Sequence, residues 1–249
     1  VPATVMALKM GKHCYTEKPL GHNVHEVRQL TRVAKRYGLA TQLGNTGHSS
    51  QIYRGVVELI RAGTIGEVKE VHAWCDNEWE DPPRVAAADG RRGRNRPQGT
   101  PPVPAHLDWD LWLGPAPYRP YHPTYHPMHW RQWWDFGNGT MSDLGGHDND
   151  VVFQVLDIQH PLTIEAVSPM GKAHPELAPA TMTVTYEFPA RGSDPPLKLV
   201  WYQGEGRPPQ FDASKMTGRA QLFIGDKGML YSDGRSGPRH PGAKERPPV

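Results

Sequence analysis

Two apolar periods divide the chain. Val24, Val27, Leu30, Ala34 and Tyr37 recur at helical spacing, and Gly38 follows where a helix-ending glycine belongs. Ile52, Val56, Leu59 and Ile60 form a second helical stripe, with Ser50 placed to cap it and Gly63 to end it. Ala3 to Met10 predicts a short helix ended by Gly11, and His13–Thr16 and Leu39–Leu43 predict short strands. Helix, strand, helix, strand is an α/β layout with a parallel sheet, in which ligands gather at the carboxyl ends of strands. Glu17, Lys18 and Pro19 lie at such an end. The second half alternates instead. Met182, Val184, Tyr186 and Phe188 interleave with Thr181, Thr183, Thr185 and Glu187, and Leu197, Leu199 and Trp201 repeat the pattern. Gln221–Ile224 and Met229–Ser232 flank Gly225-Asp226-Lys227-Gly228 and predict a hairpin. Val71, Ala73 and Cys75 face one way on a further strand, with His72, Trp74 and Asp76 on the other. The expected fold is α/β at the start, then an open, largely antiparallel sheet backed by helices, with one face wet or covered by a partner.

Between these halves, Gly137-Asn138-Gly139 leads into a helical run. Leu144, Asp148, Val151 and Val155 share one face, and Asp143, His147, Asp150 and Gln154 share another. Asp143 and His147 are one turn apart, so a carboxylate is expected beside an imidazole, with the His pKa raised and suited to acid/base work. The alternative is a helix start capped by Ser142 or Asp143 with a solvated histidine. Gly145 and Gly146 weaken the helix but leave room for a bulky neighbour.

Composition narrows the classes. A chain of 249 residues suits one large domain or two small ones, and its formal charge of +2 gives no argument for nucleic acid. No apolar run reaches the roughly 18 residues that predict a membrane span. Cys14 and Cys75 are far apart, without a CxxC pair, and are expected to be buried free thiols. The 26 prolines and 26 glycines predict long loops. The basic run 91–96 is expected to be a solvated loop, since no aromatic platform interleaves it. Trp109, Trp112, Tyr118, Tyr121, Tyr125, Trp130, Trp133 and Trp134 crowd one stretch and fit either a sugar pocket or a core beneath a loop-rich region. His122, His126 and His129 have ligand-like spacing, but Pro123 and Pro127 break the helix that would align them, and no metal is expected. Asn45, His48, Gln51 and Tyr53 cluster at the start of the second predicted helix, as active-site lining or as capping and loop chemistry.

Taken in order, GKHCYTEKPLG, TQLGNTGHSSQIYRGVVELIRAGTIGEV, LDWDLWLGPAPYRPYHP and WRQWWDFGNGTMSDLGGHDND resemble the Gfo/Idh/MocA family of NAD(P)-dependent oxidoreductases over essentially the whole chain. The resemblance implies that Lys18, Asp143 and His147 converge on the nicotinamide and the substrate carbinol, with His147 transferring the proton. It implies cofactor contacts at Glu17, Lys18 and Pro19, and substrate contacts at Asn45, His48, Trp130, Trp134 and Asp150. It also implies NAD or NADP as cofactor, a sugar or polyol substrate, and homo-oligomers built through the open sheet. Residues 1–45 would be the tail of a Rossmann-type nucleotide domain and 46–249 a substrate domain. The Gly-rich GxGxxG loop that cradles a pyrophosphate does not occur in these residues. Both ends read as cut, so a piece of a longer protein is expected, cytoplasmic unless a missing leader exports it. An NAD-dependent glycosidase or lyase, or a non-catalytic sugar-binding or oligomerisation module, are the alternatives.

Overall fold

The computed structural model describes residues 1–76, 96–169, 175–204, 206–210, 212, 217–235 and 237–239. The basic run therefore lies outside the described residues, apart from Arg96, which pairs with Glu176 at 2.9 Å.

The chain opens with α1 (Pro2–Lys9), β1 (Cys14–Glu17), α2 (Val24–Tyr37) and β2 (Thr41–Gly44). The predicted parallel pairing forms, with Cys14 opposite Thr41 and Glu17 opposite Gly44. Asn23 caps α2 by accepting from the Glu26 amide, and Gly38 ends it in the left-handed region, where a side chain would be strained. This two-stranded unit buries little: Met6, Met10, Tyr15 and Val24 are all exposed.

Next come α3 (Gln51–Arg61), β3 (Val68–Cys75) and the short α4 (Trp109–Leu113). Ser50 caps α3 through the Tyr53 amide, as its position predicts. A π-helical turn at Met141–Gly145 then runs into α5 (Gly146–Asp148) and α6 (Asp150–Leu156). Strands β4 (Thr163–Val167), β5 (Met182–Phe188), β6 (Leu197–Gln203), β7 (Arg219–Gly225) and β8 (Met229–Ser232) complete the order.

The sheet runs β4-β5-β6-β3-β7-β8. Its pairings are antiparallel except β3 with β6, which run parallel at the centre. Register fixes what each face buries. Val71 lies opposite Leu199 and Phe223, and these meet Val56 and Ile60 of α3 and Val151 and Val155 of α6. Ala73 lies opposite Trp201, and this pair packs beneath Leu144 and Met141. Both helices therefore cover one face, and each large side chain removed from water there contributes about 1.5–3 kcal/mol. The opposite face is not wet at its centre, contrary to the simplest reading of the alternation. Trp74 packs with Leu222 and Tyr231, and His72 is 2% exposed, stacked on Tyr202. Edge strand β4, by contrast, is exposed along its whole length.

The aromatic stretch resolves into two roles. Trp109, Tyr125 and Trp133 are core, with Trp109 Nε1 donating to the Arg119 carbonyl at 2.7 Å. Arg119 is itself 2% exposed and is held by Asp135 and Glu176 among the rings of Tyr125, Trp133 and Phe136. Trp112, Trp130 and Phe136 line a cavity of about 510 Å³ together with Pro19, His22 and Asn138. Cys75 is buried, whereas Cys14 is half-buried.

Candidate functional site

Three elements of distant sequence meet where β1 ends. Lys18 follows the last residue of β1, so its ammonium leaves the carboxyl edge of the two-stranded sheet. It bonds to Asp143 Oδ1, a residue of the π-helical turn whose side chain is 5% exposed. Arg131 approaches the other carboxylate oxygen, Nε to Oδ2, at 3.0 Å, and its guanidinium lies 4.6 Å from the centre of the Trp130 ring. A single buried carboxylate thus holds two cations, the arrangement in which a buried charge is tolerable.

His147 stands one turn further along, but not on Asp143. Its Nδ1 meets Asn45 Oδ1 at 2.5 Å, and Asn45 also donates to the Gly146 carbonyl. An amide oxygen only accepts, so Nδ1 carries the hydrogen and Nε2 is left as the basic nitrogen. One helical turn on, His48 Nδ1 lies 2.9 Å from Asp150 Oδ2.

Two expectations about this helix are corrected. Neither Ser142 nor Asp143 caps it, since helical structure begins before them, at Gly139. Asp143 does not share an exposed polar face with His147: it is 4% exposed as a residue. A π turn contains an extra residue per turn and shifts the phase of everything before it, turning Asp143 inward to Lys18. The His147 pKa also moves opposite to expectation. Burial lowers it, and the charges of Lys18 and Arg219 lower it further, outweighing Asp143 and Asp150. His147 therefore binds its proton less readily folded than unfolded. Its contribution to stability is complete above about pH 6.5 and is lost as the pH falls through the lower folded value. An NMR titration of the imidazole is expected to give a midpoint below that of a free histidine; a midpoint at or above it would contradict this geometry.

The helix is anchored from below. Asp148, 1% exposed, accepts from Arg219 Nε of β7 at 2.5 Å. Tyr53, beside this pair, donates to the His147 carbonyl at 3.4 Å, and burial, followed by the Asp148 charge, pushes its phenol up to about 12. Sequence reasoning gave no role to Arg131 or Arg219 and placed Asp148 only on the apolar face. The one available signal was a carboxylate on that stripe, which requires a buried cation somewhere in the fold.

The remaining candidates divide. Pro19 and Trp130 line the aromatic cavity, while the exposed Glu17 packs its carboxylate over Gly44, where an added Cβ would come within 2.6 Å of it. The Trp134 carbonyl meets His22 Nε2 at 2.6 Å, so the backbone of Trp134 is tied to the loop after Pro19. Among the histidines considered as ligands, His122 Nδ1 accepts from the Thr124 amide at 3.1 Å. No cluster of three or more metal-ligating side chains occurs among the described residues. No described helix is long and apolar enough to cross a membrane.

Comparison with known proteins agrees with this architecture. Residues 92–194 match the family model described as the C-terminal alpha/beta domain of the Gfo/Idh/MocA oxidoreductases. No curated protein matches the sequence. Among solved structures, an NAD binding oxidoreductase from Klebsiella pneumoniae aligns at 19% identity and TM-score 0.57, covering 98% of this chain and 55% of that one. An oxidoreductase from Thermotoga maritima aligns at 14% and 0.58, covering 99% and 59%. The WlbA dehydrogenase from Chromobacterium violaceum, solved with NADH and UDP-GlcNAcA, aligns at 13% and 0.57, covering 92% and 51%. The chain spans about half the length of these structures. It has the fold of these oxidoreductases, and residues 92–194 are similar to the C-terminal alpha/beta domain of the Gfo/Idh/MocA family.

Proposed function

We propose that this chain supplies the substrate side of an NAD(P)-dependent oxidoreductase acting on a hydroxyl-bearing carbon of a sugar or polyol. One observation carries the reading: Lys18, from the end of β1, reaches Asp143 one turn before His147. With Nδ1 bound to Asn45 and its proton affinity lowered, His147 is neutral at physiological pH and offers Nε2 to a substrate hydroxyl. Lys18 places positive charge near the oxygen that becomes negative as this proton leaves. Asp143 holds Lys18 and Arg131, so it positions cations rather than the imidazole. A bound nicotinamide would accept the hydride from the carbinol carbon, or return it. This reading gives the nicotinamide contacts to Glu17, Lys18 and Pro19 and the substrate contacts to Asn45, His48, Asp150, Trp130 and Trp134; Pro19 and Trp130 line the aromatic cavity, and His48 lies against Asp150. The sugar nucleotide in the WlbA complex supports a sugar-type substrate. In this reading residues 1–45 belong to the nucleotide domain and 46–249 to the substrate domain, and the exposed edge and outer face of the sheet serve a homo-oligomer.

Two measurements test it. A full-length protein containing this sequence, offered a panel of sugars and polyols with NAD or NADP, is expected to produce the near-ultraviolet absorbance of the reduced cofactor with at least one of them. Absence of reduction across the panel would count against the reading. The 249-residue chain alone has no GxGxxG loop to anchor a pyrophosphate. It is expected to bind NAD and NADP far more weakly than micromolar, and calorimetry showing micromolar affinity would refute this.

A further inference from the structure

We propose that Asn45 is the positioning residue that makes His147 a base at Nε2, and that it acts as one of two prongs on a single strand edge, Lys18 being the other. Strands β1 and β2 run parallel in a register that sets Glu17 opposite Gly44, and each strand ends at that residue. Lys18 and Asn45 are therefore the first residues beyond the carboxyl ends of two paired strands. Neighbouring strands lie about 4.8 Å apart, and one helical turn rises about 5.4 Å. The near match lets one edge meet two successive turns of the site helix: Lys18 bonds to Asp143, and Asn45 Oδ1 meets His147 Nδ1 at 2.5 Å. The effect on rate rests on the oxidoreductase reading, whereas the effect on the imidazole is measured without any turnover.

The contact is held at both ends. The Asn45 backbone amide donates to the Leu43 carbonyl at 2.9 Å, and its own carbonyl accepts from the His48 amide at 3.1 Å, so the root of the side chain is fixed. The carboxamide Nδ2 donates to the Gly146 carbonyl at 3.4 Å, which turns Oδ1 toward the imidazole. Three residues further along on both partners, His48 and Asp150 make a second rung between the same two segments. A carboxamide oxygen only accepts, so the neutral ring is held with its hydrogen on Nδ1. The proton of a substrate hydroxyl then goes to Nε2, and Nδ1 keeps its own throughout. Without Asn45 the ring is free to carry its single hydrogen on either nitrogen, and in the Nε2–H form no base faces the hydroxyl. Both ends of the carboxamide are engaged by the site helix, so the larger effect of Asn45 on the reaction passes through His147.

The test is nitrogen NMR of the 249-residue chain labelled in histidine, with His147 identified by the signals lost in His147→Gln. At a pH where the ring is neutral, Nδ1 is expected to give the signal of a protonated ring nitrogen and Nε2 that of an unprotonated one. In Asn45→Ala the two signals are expected to move towards each other as both tautomers become populated. Asn45→Asp keeps an acceptor and is expected to restore the Nδ1–H form, while its charge raises the imidazole pKa. Circular dichroism establishes that the variants fold; should Asn45→Ala fail to fold, the native chain and Asn45→Asp are read without it. In a protein joining this chain to a complete nucleotide-binding half, Asn45→Ala is expected to lower kcat by about 10–100-fold with KM nearly unchanged. That is less than the roughly 10⁴-fold lost when a partner enforces the wrong tautomer, because alanine only releases the ring. Four results overturn the proposal: a native His147 with its hydrogen on Nε2, a folded Asn45→Ala that keeps the native tautomer signals, an Asn45→Asp without the Nδ1–H form, or a raised KM at unchanged kcat in Asn45→Ala, which would make Asn45 a substrate contact only.

Discussion

His147→Ala, in a protein joining this chain to a complete nucleotide-binding half, is expected to lower turnover by about 10²–10⁴-fold, with a much smaller change in KM. A group that takes a proton only as the carbinol reacts contributes to the transition state and little to ground-state binding. The acid limb of the pH–rate profile in the native protein should lie below the ordinary histidine value, because burial and the charges of Lys18 and Arg219 disfavour the imidazolium. A purely structural histidine predicts another pattern. Losing the bond to Asn45 would then lower the melting temperature and leave the rate per folded molecule intact. Turnover and thermal melting measured on the same variant separate the two. Near-native turnover in His147→Ala removes the proposed proton acceptor. Asp143→Asn is expected to act differently, since it leaves Lys18 and Arg131 facing each other without the anion between them. It should raise KM as well as lower kcat.

Arg219→Met is expected to destabilise the fold by about 3 kcal/mol, lowering the melting temperature by roughly 6–12 °C. The substitution keeps most of the side-chain volume but strands the Asp148 carboxylate, 1% exposed, without its guanidinium. Side-chain exposure of 28% at Arg219 places the cost at the lower end of the range for broken buried pairs. Adding Asp148→Leu to the same protein is expected to restore most of the loss, because a hydrophobic pair no longer buries a charge. Calorimetric melting of the two single variants and the double variant closes the cycle. If the double variant is as unstable as the sum of the singles, the ion pair is not what makes Arg219 necessary.

Local order was legible wherever local chemistry dictates it. The Thr/apolar alternation from Met182 to Phe188 made a strand, Ser50 capped α3, and Gly38 closed α2. Lys18, Asp143 and His147 were singled out from motif and spacing, and the fold brings their elements together. Their partners were not legible. Asn45 lies 102 residues from His147, and Arg219 lies 71 from Asp148. No periodicity encodes such pairings; they follow from which strands become neighbours. The direction of the His147 pKa failed for the same reason: one carboxylate is visible in sequence, whereas burial and two distant cations are not. The inward turn of Asp143 was missed because a π turn breaks the 3.6-residue phase on which the facial assignment rested.

The placement of β3 at the centre of the sheet has a consequence for synthesis. Its neighbours are β6 and β7, which begin at Leu197 and Arg219, and β3 ends at Cys75. At about 5–20 residues per second, a ribosome takes on the order of ten seconds to make the first of these partners after β3 is complete. During that interval the segment Val71–Cys75 has neither edge paired, since both partner strands lie further along the chain. Such a segment is a template for wrong pairing. The yield of folded chain in cells is therefore expected to respond to the supply of holdase chaperones more than to the stability of the finished fold.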